Sequence, residues 1–251
     1  LVQSYKLEGI FAYALKKEGY DVTALCSNWD LWRNRYLSLF GVDSTCHIES
    51  FSSGADRNDR TVLEQLAAAI QGGALFDRGL VRRIHARLCD RLAFGETIGS
   101  ATTLAAVQIQ GEQCAVVNVG DSRVYRLSSQ GEWQQLSHDH TVLSGMIARG
   151  EAEEGEEYAT VYNMLDSCLA ADTEDADFDI HHCVAPFLPG DALLLCTDGV
   201  HDTLDSASLQ QLIVPGTSAL AQAQILRKAV IRAGAPDNFS LIFIASKAVA
   251  C

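Results

Sequence analysis

Short apolar runs of strand length that stop against an aspartate with glycine or asparagine beside it constrain this chain more than any other feature. They are Val119-Gly120-Asp121-Ser122-Arg123, Leu195-Cys196-Thr197-Asp198-Gly199-Val200 and Gly234-Ala235-Pro236-Asp237-Asn238-Phe239-Ser240. A carboxylate at the end of an apolar strand is held at a rigid edge where the backbone turns sharply. A hard cation can be gripped there by oxygens from several strands. Taken singly, Asp-Gly and Asp-Asn are also ordinary turn pairs in which the Asp bonds its own backbone.

Between these turns, hydrophobic periodicity alternates between the strand and helix types. Strands are expected over Thr103 to Gln110, Gln113 to Val119, Val124 to Leu127, Ala192 to Cys196 and Phe239 to Ala245, and His181-His182 fall in another strand-like stretch. Helical spacing marks Thr61 to Gln71, Leu80 to Leu92, Ser206 to Leu212 and Ala219 to Ala233. Helices occur in pairs between runs of antiparallel-looking strands, so the expected class is α+β with strands stacked under paired helices. No strand is followed by a G-x-G-x-x-G or G-x-x-x-x-G-K turn, which argues against dinucleotide and P-loop chemistry.

Composition removes other classes. With 251 residues, 48% hydrophobic and 20% charged, the chain can bury a sizeable core and is not disordered. Its longest apolar run, Ile10 to Leu15, spans six residues, against roughly 18 for a membrane-crossing helix, so no membrane partner is expected. A net charge of −13 repels polyanions, so nucleic acid is not an expected partner. The eight cysteines lie far apart without a C-x-x-C pair, which suits small buried hydrophobes in a reducing cytoplasm. No basic, apolar and small-residue succession at the N-terminus suggests a secretory signal. Oligomeric state is not readable.

Residues 1–43 read as an N-terminal extension of unknown role: a helix from Leu7 to Glu18, a strand from Asp21 to Cys26, then an amphipathic stretch with Leu31, Trp32, Tyr36 and Phe40. Trp29, Trp32 and Tyr36 lie close together, as in a docking face, though plain packing would use them too. From Ser44 to Phe51 the pattern turns strand-like, and residues 44–251 are expected to form the functional domain.

Five ordered segments in that domain together resemble the metal-dependent serine/threonine protein phosphatases, the PPM or type 2C family, in their bacterial form. They are Gly99 to Leu104, Val119 to Tyr125, Leu136 to Thr141, Leu194 to Asp202 and Asp237 to Ile242. The resemblance implies an α-β-β-α sandwich of two antiparallel sheets flanked by helix pairs. It also implies a centre of two Mn²⁺ or Mg²⁺ ions, with a third, weaker site, in a cleft at one edge of the sheets. Asp198 and Asp237 match the family's metal ligands, and Asp121 matches the aspartate that helps to bind the third ion. Ser122 and Asn238 would orient those carboxylates. In Gly54-Ala55-Asp56-Arg57-Asn58-Asp59, Arg57 would grip the substrate phosphate through its planar fork of donors and Asp59 would hold or polarise a metal-bound water. A solvated charge cluster accounts for Arg57, Asp59 and Arg60 equally.

The implied reaction is hydrolysis of phosphoserine and phosphothreonine proteins, a kinase or its substrates among them, by attack of a metal-bridged water. A phosphate monoester is a dianion, so two hard cations about 3.5–4 Å apart serve to neutralise charge, lower the pKa of water and align it. Aspartates suit Mg²⁺ and Mn²⁺, which prefer oxygen ligands. No C-x-x-x-x-x-R loop is present, and Cys196 inside an apolar strand is a poor nucleophile. His138 and His140 flank Asp139 as a transition-metal pair could, but an entry turn to the next helix is the simpler reading. The acidic stretch Gly150 to Glu157 falls where the family has its variable flap, whose acidity would tune substrate choice, but a solvated loop is the plainer reading.

One departure stands out. The family's V-x-D-G-x-G-G turn, whose Asp bridges both metals, has no counterpart here, because Arg60-Thr61-Val62-Leu63 already begins a helix after Asp59. Two readings follow. Either roughly 20–40 further residues belong between Asp59 and Arg60 in an active enzyme, or the chain is a catalytically silent module that binds phosphoproteins or regulates a partner.

Overall fold

A computed structural model describes residues 6–12, 21–26, 76–95, 98–156, 158–172 and 178–246. In chain order the strands and α-helices are β1 (Lys6–Ala12), β2 (Asp21–Cys26), α1 (Arg78–Leu92), β3 (Ala101–Gln110), β4 (Gln113–Val119), β5 (Arg123–Leu127) and β6 (Trp133–Gln135). There follow α2 (Val142–Ala148), β7 (Leu169–Ala170), β8 (His181–Pro186), β9 (Ala192–Cys196), α3 (Asp198–His201), α4 (Ser206–Leu212), α5 (Ala219–Arg232) and β10 (Ser240–Ala245).

These strands make two sheets. The first has the order β1-β3-β4-β8, with β7 also paired to β3, and the second has the order β2-β10-β9-β5-β6. The apolar runs are continuous because both faces of each sheet are covered. Period-2 alternation sends Ala105, Val107, Ile109, Cys114 and Val116 of the first sheet inward against Val124, Leu193, Leu195, Ile242 and Ile244 of the second. The interleaved residues face outward to helices. Leu104, Ala106, Val117 and Val119 pack with Leu80, Val81, Ile84 and Leu88 of α1. Tyr125, Leu194, Cys196, Leu241 and Phe243 pack with Ala219, Ala223, Leu226 and Val230 of α5. Each fully buried Leu, Ile or Val in these layers contributes about 1.5–3 kcal/mol.

The helices begin where their caps allow. Asp77 Oδ1 accepts from Leu80 N at 2.6 Å to open α1, Asp205 Oδ1 accepts from Ser208 N at 2.7 Å to open α4, and Ser218 Oγ accepts from Ala221 N at 3.3 Å to open α5. At the end of β5 and β9 away from residues 121 and 198, Arg126 donates from Nε and Nη2 to Asp191 Oδ2 at 3.0 and 2.8 Å. Asp191 also accepts from Ser129 N at 2.8 Å and Leu188 N at 2.9 Å, so this buried carboxylate is fully used.

Two expectations are corrected. Lys6–Ala12 is a strand, not the start of a helix from Leu7 to Glu18, and it pairs in parallel with β3 from Lys6 against Ala101 to Ala12 against Val107. The edge of β3 offers a seven-residue row of partners, and a ladder of that length outweighs helix preferences worth only tenths of a kcal/mol per residue. The first sheet is therefore mixed rather than wholly antiparallel, while the other strand pairs described are antiparallel. The expected strand Asp21 to Cys26 is present and pairs with β10. Both β1 and β2 come from the stretch read as an extension, so the boundary at residue 43 does not divide the sheets. Thr61 to Gln71, the strand from Ser44, the amphipathic stretch around Trp32 and the Asp59–Arg60 junction lie outside the described residues. Among the described residues, no helix is long and apolar enough to cross a membrane.

Candidate active site

Strand register brings the three aspartate turns to one edge of the second sheet. β9 is the hub. Its last residue, Cys196, is opposite Arg123 of β5 on one side and Leu241 of β10 on the other. The turn before β5 carries Asp121, the residue two past Cys196 is Asp198, and the loop entering β10 carries Asp237. Thr197 locks the last two together, since Thr197 N donates to Ser240 O at 3.1 Å and Ser240 N donates to Thr197 Oγ1 at 3.0 Å.

Glycine sets how closely these turns approach. A Cβ on Gly199 would lie 2.2 Å from Asn238 O and 2.9 Å from Asn238 C, so only hydrogen permits the contact between the Asp198-Gly199 and Asp237-Asn238 turns. Asp198 Oδ1 accepts from Gly199 N at 2.8 Å, and Asp237 Oδ1 accepts from Asn238 N at 2.7 Å. Asp198 is half-buried and Asp237 is exposed. Here the turn-forming role and the proposed ligand role coincide in the same carboxylates.

The Asp121 turn is braced from three sides. Gly120 has φ +93°, and a Cβ there would lie 2.4 Å from Thr103 Cγ2, so glycine is required for both conformation and space. Thr103 Oγ1 and Ser122 Oγ are hydrogen-bonded at 2.9 Å. His140 N donates to Gly120 O at 3.0 Å, and His140 Nδ1 lies 3.1 Å from Gly120 N and 3.2 Å from Gly120 O. Burial holds the His140 pKa below its ordinary value, so the ring is neutral at pH 7. On the third side, His201 Nε2 lies 3.0 Å from Asp121 O.

Arg123 and Asp139 form a fork beside this edge, with Nε 2.9 Å and Nη2 2.6 Å from Asp139 Oδ2. Burial works against the Arg123 charge, but the Asp139 contacts outweigh it and leave the guanidinium pKa above its usual value. Asn118, fully buried, clamps residue 138 by donating from Nδ2 to His138 O at 2.6 Å and accepting from His138 N at 3.1 Å. His140 and Thr141 do form the entry to α2, where Thr141 Oγ1 accepts from Ser144 N at 3.2 Å. Burial pushes the Cys196 thiol up to about 12, so it is protonated and unreactive at neutral pH.

Among the described residues no three His, Cys, Asp or Glu side chains converge closely enough to hold an ion by themselves. What the site does offer is carboxylate oxygens on adjoining turns, half-buried at Asp121 and Asp198 and exposed at Asp237. That donor set fits Mg²⁺ or Mn²⁺ and not a soft metal. Arg57 and Asp59 lie outside the described residues. Sequence reasoning found Asp121, Asp198 and Asp237 but missed Thr103, Asn118, Thr197 and His201. The Thr197-Asp198-Gly199 string was a signal for Thr197, whereas the contact of His201 spans 80 residues and leaves no local trace.

Residues 46–232 match the family model described as Protein phosphatase 2C. The serine/threonine phosphatase stp of Listeria innocua is 27% identical over 146 residues, which is 58% of this chain and 57% of that protein. The match therefore spans little more than half the length of that curated relative. The solved PPM Ser-Thr phosphatase MsPP of Mycobacterium smegmatis, in complex with cacodylate, superposes with TM-score 0.59 at 26% identity, over 78% of this chain and 84% of that one. The catalytic domain of the serine/threonine protein phosphatase PstP, in complex with two manganese ions, superposes with TM-score 0.61 at 22% identity, over 75% of this chain and 80% of that one.

Proposed function

The chain belongs to the protein phosphatase 2C family, and from that premise we propose that it is a metal-dependent phosphatase of phosphoserine and phosphothreonine proteins. The observation that carries this reading is the closure of Gly199 on the Asn238 carbonyl, because it sets two aspartate turns side by side at a sheet edge. Asp198 and Asp237 would hold one cation site between them, Asp59 would contribute to the pair, and Asp121 would serve a third, weaker site. When bound, Mn²⁺ or Mg²⁺ neutralises the phosphate dianion and lowers the pKa of water. The two manganese ions of the related PstP domain support that choice of metal.

The remaining work falls to the chain itself. Arg57 would bind the phosphate through paired N–H donors and fix its orientation. The Asp198 and Asp237 carboxylates are pre-aimed by their bonds to Gly199 N and Asn238 N, which limits the reorganisation needed on binding. Cys196 has no covalent role, since its thiol stays neutral in the core. The buried free thiols Cys114 and Cys196 support action in a reducing cytoplasm, in signalling by reversible phosphorylation.

Steady hydrolysis of phosphothreonine peptides with Mn²⁺, abolished by a chelator, tests the proposal. Asp198→Asn should lower the rate about 100-fold or more, whereas Cys196→Ser should leave it nearly intact. Full turnover by metal-free protein would refute the mechanism. The lack of a D-G-x-G-G turn between Asp59 and Arg60 is what a second reading, a silent phosphoprotein-binding module, would start from, but the matches to named serine/threonine phosphatases support the enzyme. That reading stands if the full chain binds phosphopeptides yet shows no Mn²⁺-dependent turnover.

A further inference from the structure

His201 ends the short helix that Asp198 begins, and its side chain is 3% exposed. Its Nε2 lies 3.0 Å from the backbone oxygen of Asp121. A carbonyl can only accept, so Nε2 carries the proton and donates. The other ring nitrogen, Nδ1, lies 3.1 Å from Asp202 Oδ1 but in a geometry that makes no hydrogen bond. The single well-formed bond of this buried ring is thus spent on the backbone of a candidate ligand residue, from the helix that carries another.

Thr103 and His140 hold Gly120 and Ser122 from the side of the first sheet and the loop before α2. Neither touches α3. His201 supplies the link from that helix to the carbonyl of Asp121 itself. It ties α3 to the Asp121 backbone, in addition to the Arg123 and Cys196 strand pairing that joins the two turns.

We propose that His201 is a positioning residue whose Nε2–H fixes Asp121 relative to Asp198 and thereby sets the affinity of the site for divalent cations. The inference rests on the reading above that these aspartates hold Mn²⁺ or Mg²⁺. Partners that orient ligands without touching the metal typically contribute about 10–100-fold in metal affinity. His201 would act through geometry, with no contact to substrate or ion.

The test uses the full chain titrated with Mn²⁺, reading free ion by its electron paramagnetic resonance signal, alongside circular dichroism in chelator. His201→Gln keeps an N–H donor on a side chain of similar reach, and His201→Met fills the same space without one. His201→Met should bind Mn²⁺ about 10-fold more weakly, and His201→Gln should stay within about 3-fold of wild type, with all three folded. Equal affinity in His201→Met and wild type overturns the proposal, as does equal weakening in both variants. Failure of either variant to fold assigns His201 to stability and also overturns it. A wild-type chain that takes up no Mn²⁺ instead refutes the metal reading itself, and the inference falls with it.

Discussion

Gly199→Ala separates the requirements of the fold from those of the site. An alanine in a helix is ordinarily better than glycine by about 1 kcal/mol, so local propensity predicts stabilisation. The structure predicts the reverse, because the added Cβ would lie 2.2 Å from Asn238 O, 2.9 Å from Asn238 C and 3.1 Å from Phe239 Cβ. Non-bonded heavy atoms prefer roughly 3.5 Å, so the two turns must part by about 1 Å. The nearest obstructing atoms are backbone, and no rotamer change can relieve them. Overpacking of this kind costs about 1–3 kcal/mol, which a urea titration in chelator would resolve. A misplacement of about 1 Å between groups that must act together costs about 100-fold in rate, or about 2.7 kcal/mol. Calorimetric Mn²⁺ binding and phosphopeptide turnover at saturating metal should both fall accordingly. Gly155→Ala is the control, since nothing lies within 4 Å of its Cβ and only its φ of +88° is strained; it should lose a little stability and no metal affinity. A Gly199→Ala protein with wild-type stability, Mn²⁺ affinity and rate would refute the claim that this contact builds the site.

Asp191→Ala should destabilise by about 3–5 kcal/mol, because it leaves the Arg126 guanidinium buried without its partner. Denaturant midpoints would show this, while turnover per folded molecule stays unchanged at the other end of the sheet; a loss under about 1 kcal/mol would contradict the burial argument. Alkali should unfold the protein early. Burial raises the native thiol of Cys114 from 9.0 to about 11 and that of Cys196 from 9.0 to about 12, so both remain protonated while the unfolded chain loses protons above pH 9. Their stabilisation is complete below pH 9 and declines as pH rises toward the native values, by up to about 1.4 kcal/mol per pH unit for each thiol. Urea midpoints flat from pH 8 to 10.5 would refute it, and Cys196→Ala should remove part of the slope.

What could be read from the chain follows from how local each constraint is. The run Leu193-Leu194-Leu195-Cys196 announces a strand covered on both sides, and the structure buries Leu193 and Leu195 between sheets and Leu194 and Cys196 under α5. The spacing of Leu80, Ile84 and Leu88 announces one buried helix face. Asp121, Asp198 and Asp237 were legible because an aspartate beside Gly, Ser or Asn next to an apolar strand is a local pattern, whether the strand precedes it, as for Asp121 and Asp198, or follows it, as for Asp237. The seven residues Lys6–Ala12 were misread because their apolar run suits either period, and only the free edge of β3, some 90 residues on, decides between them.

The site has the same division between what is local and what is not. A carboxylate at a strand end is written in two or three adjacent residues, whereas its exact aim depends on neighbours delivered by the sheet. Thr103 presses on Gly120, Thr197 holds Ser240, and His201 reaches Asp121, each across a separation that no pattern of residues encodes. These partners leave the identity of the ligands untouched and govern the distances between them. Substitutions among them should therefore change metal affinity before they change the fold, which is the reverse of the order expected for Asp191 or for the apolar residues between the sheets. A variant such as Thr103→Val separates the two cases on one turn: it keeps the methyl group against Gly120 and removes only the hydroxyl that meets Ser122 at 2.9 Å. It should cost about 1 kcal/mol in stability, and a larger loss of Mn²⁺ affinity than of stability would place Ser122 among the groups that aim Asp121.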